Sequence, residues 1–390
     1  MLESIEAIMD NGTTYHQHAL SRVRKLVVPD GEVLPLPLLA ACTNLQSLAL
    51  GWCNPHIVRR LPSSIQTLLF ASIDEWTQQD YRDLVAQCPS IRELALEGVV
   101  PMRLDGLRVV AAELTLAKFA LQLSQNEMPE VDFGLLEVLA SRSGDSLTHL
   151  HLSGLRLASR GVPLNTDGPM FPSLVELHLT DVEFEDSSVF AALVRGCRRL
   201  QTFRREGAAT ETILPTHFHT LIRNNAQTLE VLQVLTPGSV YQAGSFTHPF
   251  PSLRKLACST VDALQGNLNA FIAQNGSQLE RVELYDSQTD PPCIDLALVG
   301  AKCPNLVKLV LDISLTLTEI EMLVVSCKKV RKFSCFVNGH ITEDLVGPIM
   351  AKRGAVTHEN LLVQSAGADE GFQMHMGPVK WTHEQTDGQN

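Results

Sequence analysis

The sequence predicts a single α/β solenoid, a curved horseshoe with parallel strands on its concave face and helices on its convex face. Three observations predict it. Leucine supplies 58 of the 390 residues, while aromatics supply only 5%. The phrase Leu-x-x-Leu-x-Leu recurs, with thirteen clear or degenerate copies. Successive copies follow at a mean step of about 26 residues, the self-similarity that marks a repeat architecture. Leu-x-Leu alternation puts two leucines on one face of a short strand, and the leucine three residues earlier enters the same core from the approach loop. One unit cannot bury that face alone, so units stack side by side into a parallel sheet with a leucine ladder. Parallel neighbours need a crossover connection, and this step leaves room for a short strand plus a helix.

The elements follow in chain order. Residues 1–20 are read as an N-terminal cap segment, and residues 21–364 as a leucine-rich-repeat solenoid of about 13 repeats. The plainest strands are Leu45-Gln-Ser-Leu48-Ala-Leu50, Leu147-Thr-His-Leu150-His-Leu152, Leu174-Val-Glu-Leu177-His-Leu179 and Leu306-Val-Lys-Leu309-Val-Leu311. Degenerate copies centre on Leu26, Leu68, Leu94, Phe119, Phe203, Leu232, Leu256, Val282 and Phe333. Helices are expected between them. Residues 77–87 stop at Cys88-Pro89, and 133–140 carry Leu135, Leu136 and Leu139. Asp186 or Ser187 caps a helix running to Val194, and Pro215 suits a first helical turn before 217–223. Residues 261–273 and 294–301 read as helical, and Thr318-x-x-Glu321 resembles a capping box before 322–327. Thr342 is read as the cap of 343–352, with Pro348 shortening that helix. Extra material at 97–147 and polar insertions at 153–172 and 235–250 break the rhythm. Residues 365–390 lack period and apolar content and are read as a disordered C-terminal tail.

Composition narrows the function. The net charge of −12 argues against a nucleic-acid backbone or an anionic membrane as partner. No run of 18 apolar residues suggests a transmembrane helix. The acidic start, Met1 to Asp10, lacks the basic and apolar regions of a signal peptide, so a cytoplasmic or nuclear location is expected. The nine cysteines form no Cys-x-x-Cys pair, which points to free buried thiols rather than to disulfides or a zinc ribbon. Phosphate-loop, nucleophile-elbow, zincin and dinucleotide signatures are all missing, and the protein is read as no enzyme. No catalytic, cofactor-binding or metal-binding residue is assigned, and no cofactor is expected.

The concave face carries the functional expectation. In x-Leu-x-Leu-x the x side chains face inward, giving His149, His151, Glu176, His178, Arg204, Arg281, Glu283, Tyr285, Lys308 and Asp312 as candidate partner-binding residues. Glu93, Ala95 and Lys118 precede them on the same face. His149, His151 and His178 would sit on adjacent rungs; with no cysteine or carboxylate alongside, they are read as a partner-facing patch rather than as a zinc site. His217 and His219 stand at i, i+2 of a helix and do not face each other. Both charge signs mix with apolar groups across the face, which suits a protein or peptide ligand. Arg205 falls where a ladder residue is expected, so that unit is read as frayed or shifted in register.

Four repeats open with a cysteine before the strand: Cys88-Pro-Ser-Ile91, Cys197-Arg-Arg-Leu200, Cys303-Pro-Asn-Leu306 and Cys327-Lys-Lys-Val330. With the leucine phrase, this resembles the cysteine-containing repeats of F-box/leucine-rich-repeat proteins, in the ribonuclease-inhibitor-like superfamily. The resemblance covers about residues 20–355 and implies non-catalytic recognition of a substrate for an SCF-type ubiquitin ligase, whose subunits would be further partners. An F-box is not visible ahead of the strand at Leu26, and Leu34-Pro35-Leu36-Pro37 lies between repeats. The alternative expectation is a stand-alone scaffold or regulator unrelated to ubiquitin.

Overall fold

A computed structural model describes residues 20–29, 34, 36–73, 76–99, 105–123, 128–159, 169–207, 215–235, 249–259, 268–285, 294–330, 332–337, 362–364 and 372–375. The chain divides into two compact units, Met1–Leu200 and Gln201–Asn390.

The strands of the first unit are β1 (Lys25–Val28), β2 (Ser47–Leu50), β3 (Thr67–Phe70), β4 (Glu93–Val99), β5 (Lys118–Leu123), β6 (Glu130–Asp132), β7 (His149–Ala158) and β8 (Glu176–Phe184). They lie in the order β1-β2-β3-β4-β5-β7-β8. All these neighbours are parallel, and β6 joins the end of β7. The register keeps the ladder in line: Leu48, Leu68, Leu94, Phe119, Leu150 and Leu177 stand side by side. So do Leu50, Phe70, Leu96, Leu121, Leu152 and Leu179. None of these is more than 3% exposed, and each buried leucine contributes about 1.5–3 kcal/mol. Leu45, Ile65, Ile91, Leu116, Leu147 and Leu174 fill the third slot and are equally buried. Rung is tied to rung at this point. Gln66 N and Thr67 N both donate to Gln46 O (2.8 and 3.0 Å), and Arg92 N and Glu93 N repeat the pattern on Gln66 O (2.7 and 3.0 Å).

Two helices of this unit start where capping chemistry directs. Thr77 and Asp80 form a capping box ahead of Gln78–Gln87. Asp186 accepts from Ser188 N and Val189 N ahead of Ser187–Val194. Residues 97–147, where the rhythm breaks, hold one complete crossover, Asp105–Glu113, and then β5, β6 and helix Gly134–Ser143. Four residues after the first ladder leucine, the longer strands bend. Gly98 (φ 63°), Gly154 (φ 68°) and Asp181 (φ 49°) adopt the left-handed conformation there. The bend carries Val99, Leu123, Leu155 and Val182 into a second buried row. Cys53, after β2, is buried and donates its N–H to Ser72 O (3.2 Å). Trp76 is buried against Phe70 and Tyr81, with its indole N–H donating to Cys53 O (3.3 Å), whereas Trp52 is 44% exposed.

In the second unit, β9 (Thr202–Glu206), β10 (Val231–Leu235), β11 (Lys255–Ser259), β12 (Arg281–Tyr285), β13 (Lys308–Leu315) and β14 (Lys332–Val337) are successive parallel neighbours. Two further strands, β15 (Leu362–Gln364) and β16 (Phe372–His375), complete it. β16 pairs antiparallel with β14, and β15 with β16. The strand β16 therefore lies inside the segment expected to be a disordered tail. The open edge of the last parallel strand is a template for such pairing. Helices Pro215–Asn225, Leu268–Asn275, Leu296–Lys302 and Leu317–Ser326 alternate with the strands. Parallel strands alternating with helices on a repeat of about 26 residues make the architecture an α/β leucine-rich-repeat solenoid.

Three local expectations are corrected here. Arg205 is neither frayed nor out of register: it pairs laterally with Val234 at a ladder position and is 3% exposed. The capping box lies two residues earlier than expected, at Thr316 and Glu319. Thr-x-x-Glu fits both positions, and the hydrogen bonds select the first: Glu319 N donates to Thr316 Oγ1 (3.3 Å) and Thr316 N donates to Glu319 Oε2 (2.7 Å). Asp295 caps Leu296–Lys302, accepting from Leu298 N, so that helix begins after Ile294. Residues 343–352 lie outside the described residues.

The cysteine slot also finds its reason. Cys42, Cys88, Cys197, Cys303 and Cys327 occupy the same place, six residues before the first ladder residue, and all are buried. Gly276 fills that slot one rung from Cys303. A Cβ on Gly276 would lie 2.8 Å from Lys302 O and 3.0 Å from Cys303 Sγ. At this rung only a residue smaller than alanine fits. Cysteine is among the few small apolar side chains that suit the slot elsewhere.

Candidate functional site

Strand alternation turns one set of side chains toward the helices and leaves the other on the free face of the sheet. In the first unit, parallel register sorts the free set into two rows. The first row runs Thr67, Glu93, Lys118, His149 and Glu176. The second runs Ala49, Leu69, Ala95, Ala120, His151 and His178.

The first row is polar and cross-linked in two stretches, Thr67 to Lys118 and His149 to Glu176. Thr67 Oγ1 donates to Glu93 Oε2 (3.3 Å), and Lys118 Nζ lies 3.1 Å from Glu93 Oε1. His149 Nε2 lies 3.5 Å from Glu176 Oε1, and its Nδ1 is 2.8 Å from Thr148 Oγ1. The other oxygen of Glu176 is 3.8 Å from His178 Nε2, and His178 meets His151 edge to face at 5.7 Å. The second row is apolar until it reaches the histidines. Beside the polar row, Leu69, Ala95 and Ala120 floor a cavity of about 290 Å³ whose far end is His149, His151, Glu176 and His178. Exposed ion pairs of this kind contribute only about 0–1 kcal/mol, so a ligand can exchange them for its own at little cost.

The second unit builds a different surface. Its first row is Val231, Lys255, Arg281 and Lys308, followed by the position of Lys332. Its second row is Arg204, Gln233, Ala257, Glu283 and Val310. Glu283 is buried beneath its neighbours: Lys308 Nζ donates to Oε1 at 2.6 Å, Lys255 Nζ lies 3.5 Å from Oε2, and Tyr285 Oη donates to Oε2 at 3.1 Å. Burial alone would raise the carboxyl pKa of Glu283; the hydrogen bond from Lys308 and the two ammonium charges outweigh it and hold the carboxyl below the ordinary range. Burial lowers the pKa of Lys255, Glu283 opposes that shift, and the charges of Arg204 and Lys308 add to it. Lys255 Nζ also donates to Gln233 Oε1 (2.7 Å), and Gln233 Nε2 donates to Glu206. One polar chain thus crosses five rungs, from Glu206 to Lys308.

The structure therefore sorts the expected residues into two groups. His149, His151, Glu176 and His178 gather in the first unit. Arg204, Glu283, Tyr285 and Lys308 gather in the second, with Arg281 exposed between Lys255 and Lys308. Asp312 lies in β13, and its side chain is outside the described residues. Sequence reasoning missed Leu69, Ala120, Gln233 and Lys255. The signal existed: each sits at an x position of a repeat whose leucine phrase is degenerate.

Among the described residues, no three His, Cys, Asp or Glu side chains are grouped so as to hold a metal ion. The seven cysteines whose side chains are described are all buried, and burial pushes the thiols of Cys88, Cys197 and Cys303 up to about 12. Such thiols are poor nucleophiles at neutral pH. A larger open cleft of about 1000 Å³ lies between helices Gln78–Gln87 and Asp105–Glu113, and its lining brings no cysteine or histidine. Among the described residues, no helix is long and apolar enough to cross a membrane.

No family model matches the chain, and no curated protein matches it. Among solved structures it is similar to the leucine-rich repeat-containing protein LegL7 from Legionella pneumophila, at 10% identity and a TM-score of 0.38, over 85% of this chain and 98% of that one. It is also similar to the Rad7 and Elc1 complex of yeast, at 14% identity and a TM-score of 0.42, over 75% of this chain and 86% of that one.

Proposed function

We propose that the protein is a non-catalytic recognition module that binds protein or peptide ligands on the free faces of its sheets. The observation that carries this reading is the first-unit site: an apolar floor of Leu69, Ala95 and Ala120 beside a row of exchangeable polar pairs, ending in three histidines. Ala95 and Ala120 let a ligand backbone approach the sheet, Leu69 adds apolar surface, and the polar row supplies orientation. Proximity labelling in cells, repeated with Ala120→Arg and with His149, His151 and His178 all replaced by Ala, tests it. Partners lost in both variants support the site; partners retained in both refute it.

A finer reading rests on the Cys-Pro-x-Leu-x-x-Leu-x-Leu resemblance: the ligand is a substrate destined for ubiquitin-dependent degradation. Co-immunoprecipitation of the full chain should then recover an SCF adaptor and a cullin, and ligand abundance should rise when the chain is depleted. Recovery of ligands without adaptor or cullin favours a scaffold unrelated to ubiquitin.

A further inference from the structure

The second-unit face carries an excess of cations on a chain whose net charge is −12. Lys255, Arg281 and Lys308 stand in lateral register on successive rungs, and the next position along is Lys332. Lys255 and Lys308 share one carboxylate, that of Glu283. Arg281 lies between them, exposed, and no carboxylate pairs with it among the described residues. Arg204 stands on the same face, close enough for its charge to disfavour protonation of Lys255. The Nε of Arg204 is buried with no hydrogen-bond partner among the described residues. A second carboxylate on these strands, that of Glu206, accepts from the Gln233 amide. Within the strands four described cations thus face two described carboxylates, while at the strand starts the carboxylate of Glu280 is taken by Arg254 (3.7 Å). A buried guanidinium nitrogen without an acceptor is costly, and a ligand oxygen would relieve that cost.

We infer that this face binds an extended acidic protein segment, laid across the rungs with its carboxylates over Arg281 and toward Arg204. The inference rests on the proposal that the free faces bind protein, and it adds the chemistry of the partner. Rungs are about 4.8 Å apart, so the three registered cations span about 10 Å, the length of three extended residues. Acidic side chains two or three positions apart therefore reach separate cations. The apolar floor of the first unit offers no such row, so the two faces select different ligand chemistry.

Fluorescence anisotropy on the full chain tests this with three labelled 12-residue peptides, alternating Glu-Ser, Gln-Ser and Lys-Ser, and with a 12-nucleotide single-stranded RNA. The Glu-Ser peptide should bind tightest and weaken steeply with salt. Arg281→Glu should weaken it at least tenfold, Arg281→Lys should keep most of the affinity, and circular dichroism should show both variants folded. Glu-Ser binding no tighter than Gln-Ser, or unchanged in Arg281→Glu, would overturn the inference. So would RNA binding tighter than the Glu-Ser peptide. Gln-Ser binding that Ala120→Arg abolishes and Arg281→Glu leaves intact would remove the acidic partner yet keep protein recognition. No binding by any peptide, together with retained partners in the labelling experiment, would remove both.

Discussion

Replacing Gly154 by Ala should destabilise the first unit by about 2 kcal/mol. Gly154 sits at φ 68°, where a side chain on an L residue costs about 1–2 kcal/mol. A Cβ there would also fall 2.9 Å from Leu123 O. That atom belongs to the backbone of β5, so it yields only if the strand shifts. A clash of a few tenths of an ångström adds about 1 kcal/mol, the low end of overpacking costs. Alanine returns about 0.4–1 kcal/mol by restricting the unfolded chain. Gly98 is the same position in β4, at φ 63° with a Cβ 3.0 Å from Ala71 O, so Gly98→Ala should cost nearly as much. Gly134 opens a helix without a positive φ, and its closest atom is the side-chain Asp132 Oδ1 at 3.2 Å. Gly134→Ala should therefore change stability by less than about 0.5 kcal/mol, because only side-chain ends of Asp132 and Arg108 stand near the added methyl. Urea unfolding followed by fluorescence reads the effect, since the buried Trp76 reports on this unit. Heating should show a fall in Tm of about 4–8 °C for Gly154→Ala, at 2–4 °C per kcal/mol in a unit of this size. A Gly154→Ala protein within 0.5 kcal/mol of the parent, or no less stable than Gly134→Ala, would refute the bent-strand account.

Glu283→Gln should cost the second unit about 2 kcal/mol at pH 7, between the values for exposed and fully buried pairs. Because the folded carboxyl pKa is held below the ordinary 4.5, its contribution is complete above that pH and is lost as pH falls through the lower folded value. The gap between parent and Glu283→Gln in urea midpoints should accordingly close in acid; a gap independent of pH would contradict the ion triad. Thiol titration of the native chain at pH 8 should find the seven buried cysteines protected, against nine reactive in denaturant. Fast labelling at Cys88 or Cys303, located by mass spectrometry, would contradict their burial. Thr316→Ala should lower second-unit stability by about 1 kcal/mol by removing the cap on Glu319 N, whereas Thr318→Ala should change it by less than about 0.5 kcal/mol. Equal effects would restore the later start of that helix.

Much of the fold was legible because the repeat states the same instruction many times. The ladder at Leu48, Leu94, Leu150 and Leu177 follows from period alone, and Asp186 is a cap whose side chain has one obvious use. Where the text departs from the period, local rules became ambiguous. Thr316 and Thr318 both satisfy the capping pattern, and the pattern itself does not say which one the hydrogen bonds will use. Arg205 breaks polarity but not register, since its neighbours on both strands hold the backbone pairing. β16 has no periodic signal, because a single strand added to an edge needs only backbone hydrogen bonds. On the candidate faces, alternation correctly named which side chains point away from the helices. It did not reveal which of them meet. The apolar floor depends on Leu69 lining up with Ala95 and Ala120, and the ion triad on Lys255 flanking Glu283. Lateral register across three repeats is invisible when each repeat is read singly.

The column of buried cysteines gives the molecule a clock. Each thiol is buried, so it meets solvent only when the repeats around it open and is covered again when they close. Cys42, Cys53, Cys88 and Cys197 in one unit, and Cys258, Cys303 and Cys327 in the other, are spaced along the chain as native reporters. Their order of capture by a thiol trap, followed over time without denaturant, would record the sequence in which the repeats come undone. That order reads local opening free energies directly, and it requires no engineered probe.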